Sequence, residues 1–403
     1  TLVHSRKISI RAMIEMEVGC ETLIEEETAV DLESSASIYK KQKPVNLLKL
    51  HTAKKDTYRI KEEITIPGTK ESIGQVLLTD ITGRKLEVRA AQDELLLRGE
   101  LQIFCMYLSE EGKTDWLEQS VPYEGRIECS GATEGMYYDV QHALEDTLAD
   151  VRMDEDGEMR IIGIEGTVSL RINLYEEEEL NLLEDLYSLE QKVSYQTREA
   201  VYEELLLQNQ SKCKIVENLS LPELKDDVLQ ICHSSGSVQI EHVETRAEKQ
   251  GGILIEGILH VSFLYLKADD ALPFGNWQGM VPFSYLLECP DMPKDVRYQL
   301  SHRVEQISVT MTGSDSVEVK AVLDFDVFLR KEVPMQVITE VSLEETDREE
   351  LAKKPGIVGY MVKSGDDLWT LAKQYMTTEE SIRQINHLEN GKIKPGDKLI
   401  ICK

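Results

Sequence analysis

The residues of this chain best equipped for chemistry do not assemble into a recognisable reaction centre. Cys232 and His233 are the only adjacent pair of possible metal ligands, and no second pair at metal-binding spacing accompanies them. Glycan hydrolysis needs two carboxylates facing one bond. With 74 Asp and Glu among 403 residues, many pairs are conceivable and none is singled out. The run Glu176-Glu177-Glu178-Glu179 answers better to a solvated charged segment than to a site. His142 and His302 recur at equivalent positions of a repeat described below, which favours a shared packing role over one catalytic centre. Phe274-Gly275-Asn276-Trp277 reads as a loop with aromatic anchors, and GxSxG, P-loop, HExxH and dinucleotide-binding glycine patterns are all missing. The reading is a non-enzymatic chain that needs no cofactor and no metal.

Composition narrows the remaining classes. A hydrophobic content of 41% suffices for packed cores, and the length predicts two or three domains. Charge is unevenly spread: residues 359–403 hold seven basic and six acidic residues, whereas the preceding 358 hold 38 and 68, a balance of −30. Such a body repels nucleic acid and anionic lipid, so neither is expected as a partner. The near-neutral tail stands apart, as a binding tip on an acidic stem would. Seven scattered cysteines without a CxxC pair fit a reducing cytosol rather than a disulfide framework. No apolar run is long enough for a helical membrane span.

The tail has the densest pattern. Tyr360 and Val362 alternate as in a strand, Gly365 breaks it, and Asp366 or Asp367 can cap a helix. Leu368, Leu371, Ala372 and Tyr375 then recur at helical spacing. Thr377 or Thr378 starts a second helix with Ile382 and Ile385, and Pro395-Gly396 turns the chain into a last strand, Leu399-Ile400-Ile401. These residues, Tyr360-Met-Val-Lys-Ser-Gly-Asp-Asp-Leu-Trp369 through Ile393-Lys-Pro-Gly-Asp-Lys-Leu-Ile-Ile401, resemble the small βααβ LysM domain. The resemblance implies binding of N-acetylglucosamine glycans, peptidoglycan or chitin, between two loops. In some spore-coat proteins it implies a protein ligand instead. It places the contacts at Lys363, Gly365, Asp366, Asp367, Leu368, Trp369, Asn386, Leu388, Asn390, Lys392, Ile393 and Lys394. Trp369 offers a sugar platform, but its place on a helix beside Leu368 favours packing. Asn386 likewise suits a helix-end hydrogen bond.

The body repeats itself. Ile66-Pro67 through Ile73 matches Leu221-Pro222 through Val228 at an offset of 155 residues. Leu97-Arg-Gly99-Glu-Leu101 matches Ile255-Glu-Gly257-Ile-Leu259, and Tyr107-Leu108 matches Tyr265-Leu266, at 158. Val121-Pro122-Tyr123 pairs with Val281-Pro282-Phe283, and His142 with His302, at 160. Ile8-Ser-Ile10 aligns with Met159-Arg-Ile161 and Val317-Glu-Val319, so residues 1–45 read as the end of an earlier repeat. About one hundred further residues, the rest of one repeat, are then expected upstream.

Strand signals dominate each unit, at 95–108, 252–266 and 317–329, with Gly99 and Gly257 suggesting a bulge or bend. Asp324 and Asp326 alternate with apolar residues, as on a sheet with one solvated face. Asp80–Gly83 and Asp115-Trp116 suggest turns, the Leu- and Glu-rich stretch from Leu180 to Gln210 is the main helical candidate, and Lys353-Lys354-Pro355-Gly356 suggests a hinge.

Leu221-Pro222-Glu-Leu-Lys225-Asp226-Asp-Val228 and the run Ser5-Arg-Lys-Ile-Ser-Ile-Arg11 resemble the SPOCS domain, a β-rich repeat of spore-coat proteins. SPOCS repeats followed by one LysM is the layout of the SipL-type spore coat morphogenesis family. The resemblance implies a mainly β fold: a first-repeat remnant at 1–45, a second repeat with a helical tail at 46–206 and a third at 207–345. A linker at 346–358 and a LysM domain at 359–403 complete it. It further implies a coat-assembly scaffold in the mother-cell cytoplasm at the forespore surface. Its LysM would bind the stage IV sporulation protein A ATPase or another coat protein. The alternative is a cell-wall protein that binds N-acetylglucosamine polymers.

Overall fold

The computed structural model of the chain describes residues 2–403 other than 5, 6, 10, 12, 15, 17, 21, 23, 26, 35, 36, 226, 248, 250, 268–272, 346–354 and 389–391. Lys353 and Lys354 of the expected hinge therefore lie outside the described residues. A short pair, β1 (Leu2–His4) and β2 (Lys7–Ile8), precedes β3 (Ile38–Thr65), β4 (Ile73–Ala91), β5 (Glu94–Ser109), β6 (Thr114–Glu128), β7 (Tyr137–Met153) and β8 (Met159–Ser188). The sequence then continues through β9 (Gln191–Ser220), β10 (Val228–Arg246), β11 (Gly252–Lys267), β12 (Phe274–Glu288), β13 (Val296–Met311) and β14 (Ser316–Glu345). The tail is β15 (Ile357–Met361), α1 (Leu368–Tyr375), α2 (Glu379–Ile385) and β16 (Lys398–Cys402). The fold is mainly β, as the sequence predicts.

Two compact units result, one of residues 44–180 and 201–335, the other of 1–43, 181–200 and 336–403. In the larger unit one pattern occurs twice. Sheets β3-β8-β7 and β4-β5-β6 form the first copy, and β9-β14-β13 and β10-β11-β12 the second. In each copy the two sheets share one core. Leu97, Leu101, Tyr107 and Tyr123 fill the first, and their repeat partners Ile255, Leu259, Tyr265 and Phe283 fill the second. Each copy is thus a two-layer sandwich. Pro122 and Pro282 fall on β6 and β12, the edge strands, where a missing N–H breaks no ladder.

The repeated glycines serve the repeated aromatics. Gly99 lies opposite Tyr123, and Gly257 opposite Phe283. The bulges expected at these glycines occur on the neighbouring strands instead, between Arg84 and Glu87 of β4 and between Ile240 and His242 of β10. A Cβ at Gly99 would sit 2.5 Å from the Tyr123 ring, whereas one at Gly257 would sit 2.3 Å from the Gln239 backbone oxygen.

Several local expectations are corrected. Leu180–Gln210 is not helical: it forms the end of β8, a turn and the first part of β9. Leu and Glu suit a helix by propensity, but Leu183 and Leu186 are buried with Ile338, Val193 and Val341, and this packing overrides propensity. The expected boundaries at 45/46 and 206/207 fall inside β3 and β9. Asp80–Gly83 lies within β4, Asp115-Trp116 within β6, and Phe274–Trp277 opens β12.

Of the two β14 carboxylates expected on a solvated face, Asp326 is half-buried and Asp324 is buried. Asp324 is 2% exposed, opposite Arg303 of β13, and forms an ion pair with it. Arg303 also reaches Asp326 at 3.2 Å and donates to His142 Nε2 of β7 at 2.8 Å, tying the second repeat to the first. Because the guanidinium can only donate, His142 must be neutral with its proton on Nδ1. Burial and the Arg303 charge push His142 down to about 4. Burial raises Asp326 to about 6 despite Arg303.

A second tie runs through His233. Asp80, Phe104 and Glu118 sit in one row across β4, β5 and β6. The His233 ring stacks on Phe104 at 4.2 Å, with Nε2 2.8 Å from Asp80 and Nδ1 3.7 Å from Glu118. Burial alone would lower its pKa, but the two carboxylates raise it above the ordinary 6.5. A raised imidazole stabilises the fold fully below pH 6.5 and loses that contribution as pH climbs through the raised value. His142, His302 and Asp326 titrate lower, so they act below this window.

Two outcomes are expected. Gly257→Ala lowers stability by about 1–3 kcal/mol, and Gly99→Ala by less, since the Tyr123 ring can swing aside where the Gln239 backbone cannot; equal melting shifts would contradict this. Denaturant titrations should show wild-type stability falling as pH rises above 6.5, and His233→Gln should flatten that slope; an unchanged slope would refute the imidazolium tie.

Candidate ligand-binding module

The tail builds its site on a small core. Val362, Leu371, Ala372, Ile382, Leu399 and Ile401 are buried between the β15–β16 pair and the two helices. Asp367 caps α1 by accepting from Thr370 N at 2.7 Å, and Thr378 caps α2 by accepting from Ser381 N at 3.0 Å. These settle the two caps that sequence leaves open.

The two loops share one device. In Lys363-Ser-Gly365-Asp366, the Asp366 carboxylate accepts from Lys363 N at 2.7 Å and from Tyr360 Oη at 2.9 Å. In Lys394-Pro-Gly396-Asp397, Asp397 accepts from Lys394 N at 2.8 Å. Both glycines lie in the left-handed region, at φ +93° and +94°. Backbone bonds Val362 N to Asp397 O and Gly396 N to Val362 O, 2.9 and 2.8 Å long, hold the loops together. Asn386 acts as a clasp: its amide donates to Ile382 O and Ile400 O, and its oxygen accepts from Ile400 N.

The expected contact residues therefore separate. Lys363, Gly365, Asp367, Lys392 and Lys394 are exposed, and Asp366, Asn386, Leu388 and Ile393 are half-buried. Leu368 and Trp369 are buried, at 5% and 9%. Asn390 lies outside the described residues.

Trp369 is held by residues that sequence reading did not single out. Its indole N–H donates to Asp185 Oδ2 at 2.8 Å, and its ring meets Tyr187 edge-on at 4.9 Å. Lys373 bonds to the same carboxylate, which also accepts from Tyr195 Oη at 2.6 Å and Leu186 N at 2.7 Å. Burial would raise the Asp185 pKa, yet the donors Lys373, Tyr195, Trp369 and Leu186 together hold it below the ordinary value. Tyr187 stacks on Tyr39 at 4.9 Å and donates to Thr377 O at 3.1 Å. The local signal is only the alternation Asp185-Leu186-Tyr187, because the partners are distant in sequence.

Chemistry elsewhere is sparse. Cys232 is buried, which pushes its thiol up and away from reactivity. Among the described residues no group of His, Cys, Asp and Glu is placed to hold a metal, and no helix is long and apolar enough to cross a membrane. Replacing Asn386 by Ala should lower the stability of the module by about 1–2 kcal/mol, with Asn386→Asp intermediate because it keeps one acceptor. A thermal melt followed in the tail that shows no loss would remove the clasp from the account.

The module and the sandwiches both have known counterparts. Residues 360–401 match the LysM domain. Residues 72–153 and 227–312 match the SipL SPOCS domain, covering β4 to β7 and β10 to β13. No curated protein and no solved structure matches the chain. SPOCS and LysM are binding domains rather than catalytic ones, the first associated with sporulation and the second with peptidoglycan. The chain thus carries two SPOCS domains of the SipL type followed by a C-terminal LysM domain, the architecture of a spore-associated binding protein.

Proposed function

We propose that this protein is a non-enzymatic scaffold of spore-coat assembly, acting in the mother-cell cytoplasm at the forespore surface. On this reading its LysM module binds a coat basement-layer protein, the stage IV sporulation protein A ATPase. The observation that carries the reading is the pairing of two SipL-type SPOCS domains with one LysM domain. The loops add a physical argument. Trp369 could serve a sugar only as an exposed platform, but it is buried and its N–H is already bonded. Among the described residues the loops expose three lysines, Lys363, Lys392 and Lys394, against one acid, Asp367, with Leu388 and Ile393 half-buried. Charged rims over small apolar patches suit a protein partner and set its rate of encounter.

The LysM match itself favours the second reading, recognition of N-acetylglucosamine polymers. The two separate in one titration of the full chain, against the purified ATPase and against soluble N-acetylglucosamine oligomers. Saturable binding to the ATPase, weakened about five- to tenfold by Lys363→Glu or Lys392→Glu, is the expected outcome. Binding to the oligomers alone would overturn the scaffold reading in favour of a cell-wall role.

A further inference from the structure

Trp369 and Lys373 stand one turn apart on α1, with the Trp369 ring at the side of the cluster that holds Leu371, Ala372, Ile382 and Leu399. Both are engaged by one short stretch of β8. Asp185 and Tyr187 alternate along that strand, so both side chains leave the same face. The carboxylate takes the indole N–H and the ammonium, while the tyrosine sets its ring edge to the indole and its hydroxyl on Thr377 O. We propose that this face of the module is an interaction surface for an extended segment presenting a carboxylate and, two residues later, a tyrosine, and that the chain's own Asp185-Leu186-Tyr187 occupies it as a displaceable latch.

The bonding makes the latch releasable. When the module leaves, Asp185 keeps Tyr195 Oη and Leu186 N, so its charge is not stranded without donors. On the other side, the indole N–H and the Lys373 ammonium become free to take another carboxylate. Lys41 reinforces the closed state, lying 3.3 Å from Glu184 of β8 and 3.6 Å from Asp367 at the start of α1. A tethered segment competes at an effective concentration on the order of millimolar. A partner of the same chemistry must therefore bind well to open the latch. The inference goes beyond the proposed function, because it holds whichever ligand the two loops carry.

The test uses the full chain and a synthetic peptide of residues 181–198. The three tryptophans give three indole N–H resonances, each assigned by a Trp→Phe change. In the variant Asp185→Ala/Tyr187→Ala, solvent exchange of the Trp369 N–H should rise at least about tenfold. The peptide should then bind this variant at least about tenfold more tightly than it binds wild type, where the cis segment competes. Adding Trp369→Phe should remove that gain, and Asp185→Asn should give a smaller opening in a chain of unchanged size. An unchanged Trp369 exchange rate in the double variant, or a peptide that does not distinguish the two chains, would overturn the proposal. Because neither readout uses the ATPase or a glycan, its failure is separable from failure of the scaffold reading.

Discussion

The carboxylate of Asp185 fixes how the binding module is held. A carboxylate drawn largely out of water must recover its lost hydrogen bonds or take up a proton. Asp185 recovers them from four donors, two from its own strands and two from α1. The indole that a LysM fold places on this helix face thereby becomes a structural contact. The two loops are each set by a Lys-x-x-Asp turn around a glycine of positive φ.

The same constraint organises the paired sandwiches. Arg303 is directed at Asp324, Asp326 and His142 at once, and His233 at Asp80 and Glu118. Apolar alternation closes each sandwich on itself but cannot specify how one copy meets another. A few buried ionic contacts can, since a shifted register would leave charges unpaired in a dry site. The two copies share their apolar positions and differ here: Ala143 stands where the second copy has Arg303. A symmetric core with asymmetric polar contacts gives two like domains one preferred arrangement.

Legibility followed the range of the interaction. The LysM fold was readable because its caps, turns and helical spacing are local. Strands β5 and β11 were readable because both bury alternate residues in a repeated pattern. The stretch from Leu180 to Gln210, where the chain passes from β8 into β9, was not, since Leu and Glu favour a helix until Ile338 and Val341 of β14 pack against it. Asp324 looked like a solvent-facing residue because nothing near it in sequence announces Arg303 as its neighbour across the ladder. The Asp185 contact joins residues about 180 positions apart, beyond any local pattern, so the sequence indicated a packing role for Trp369 without showing its partner.

The displaced ionisations bear on catalysis as well. A histidine near 4 and an aspartate near 6 are the kind of shifts that mark active sites. Here each shifted group is committed to another protein group. His142 Nε2 is filled by Arg303, Asp326 shares that guanidinium, and His233 is bracketed by two carboxylates over Phe104. A general acid or base must have its reactive atom free to meet a substrate, and an atom already holding one repeat against another is not free. The shifts are consequences of packing two acidic, strand-rich domains closely.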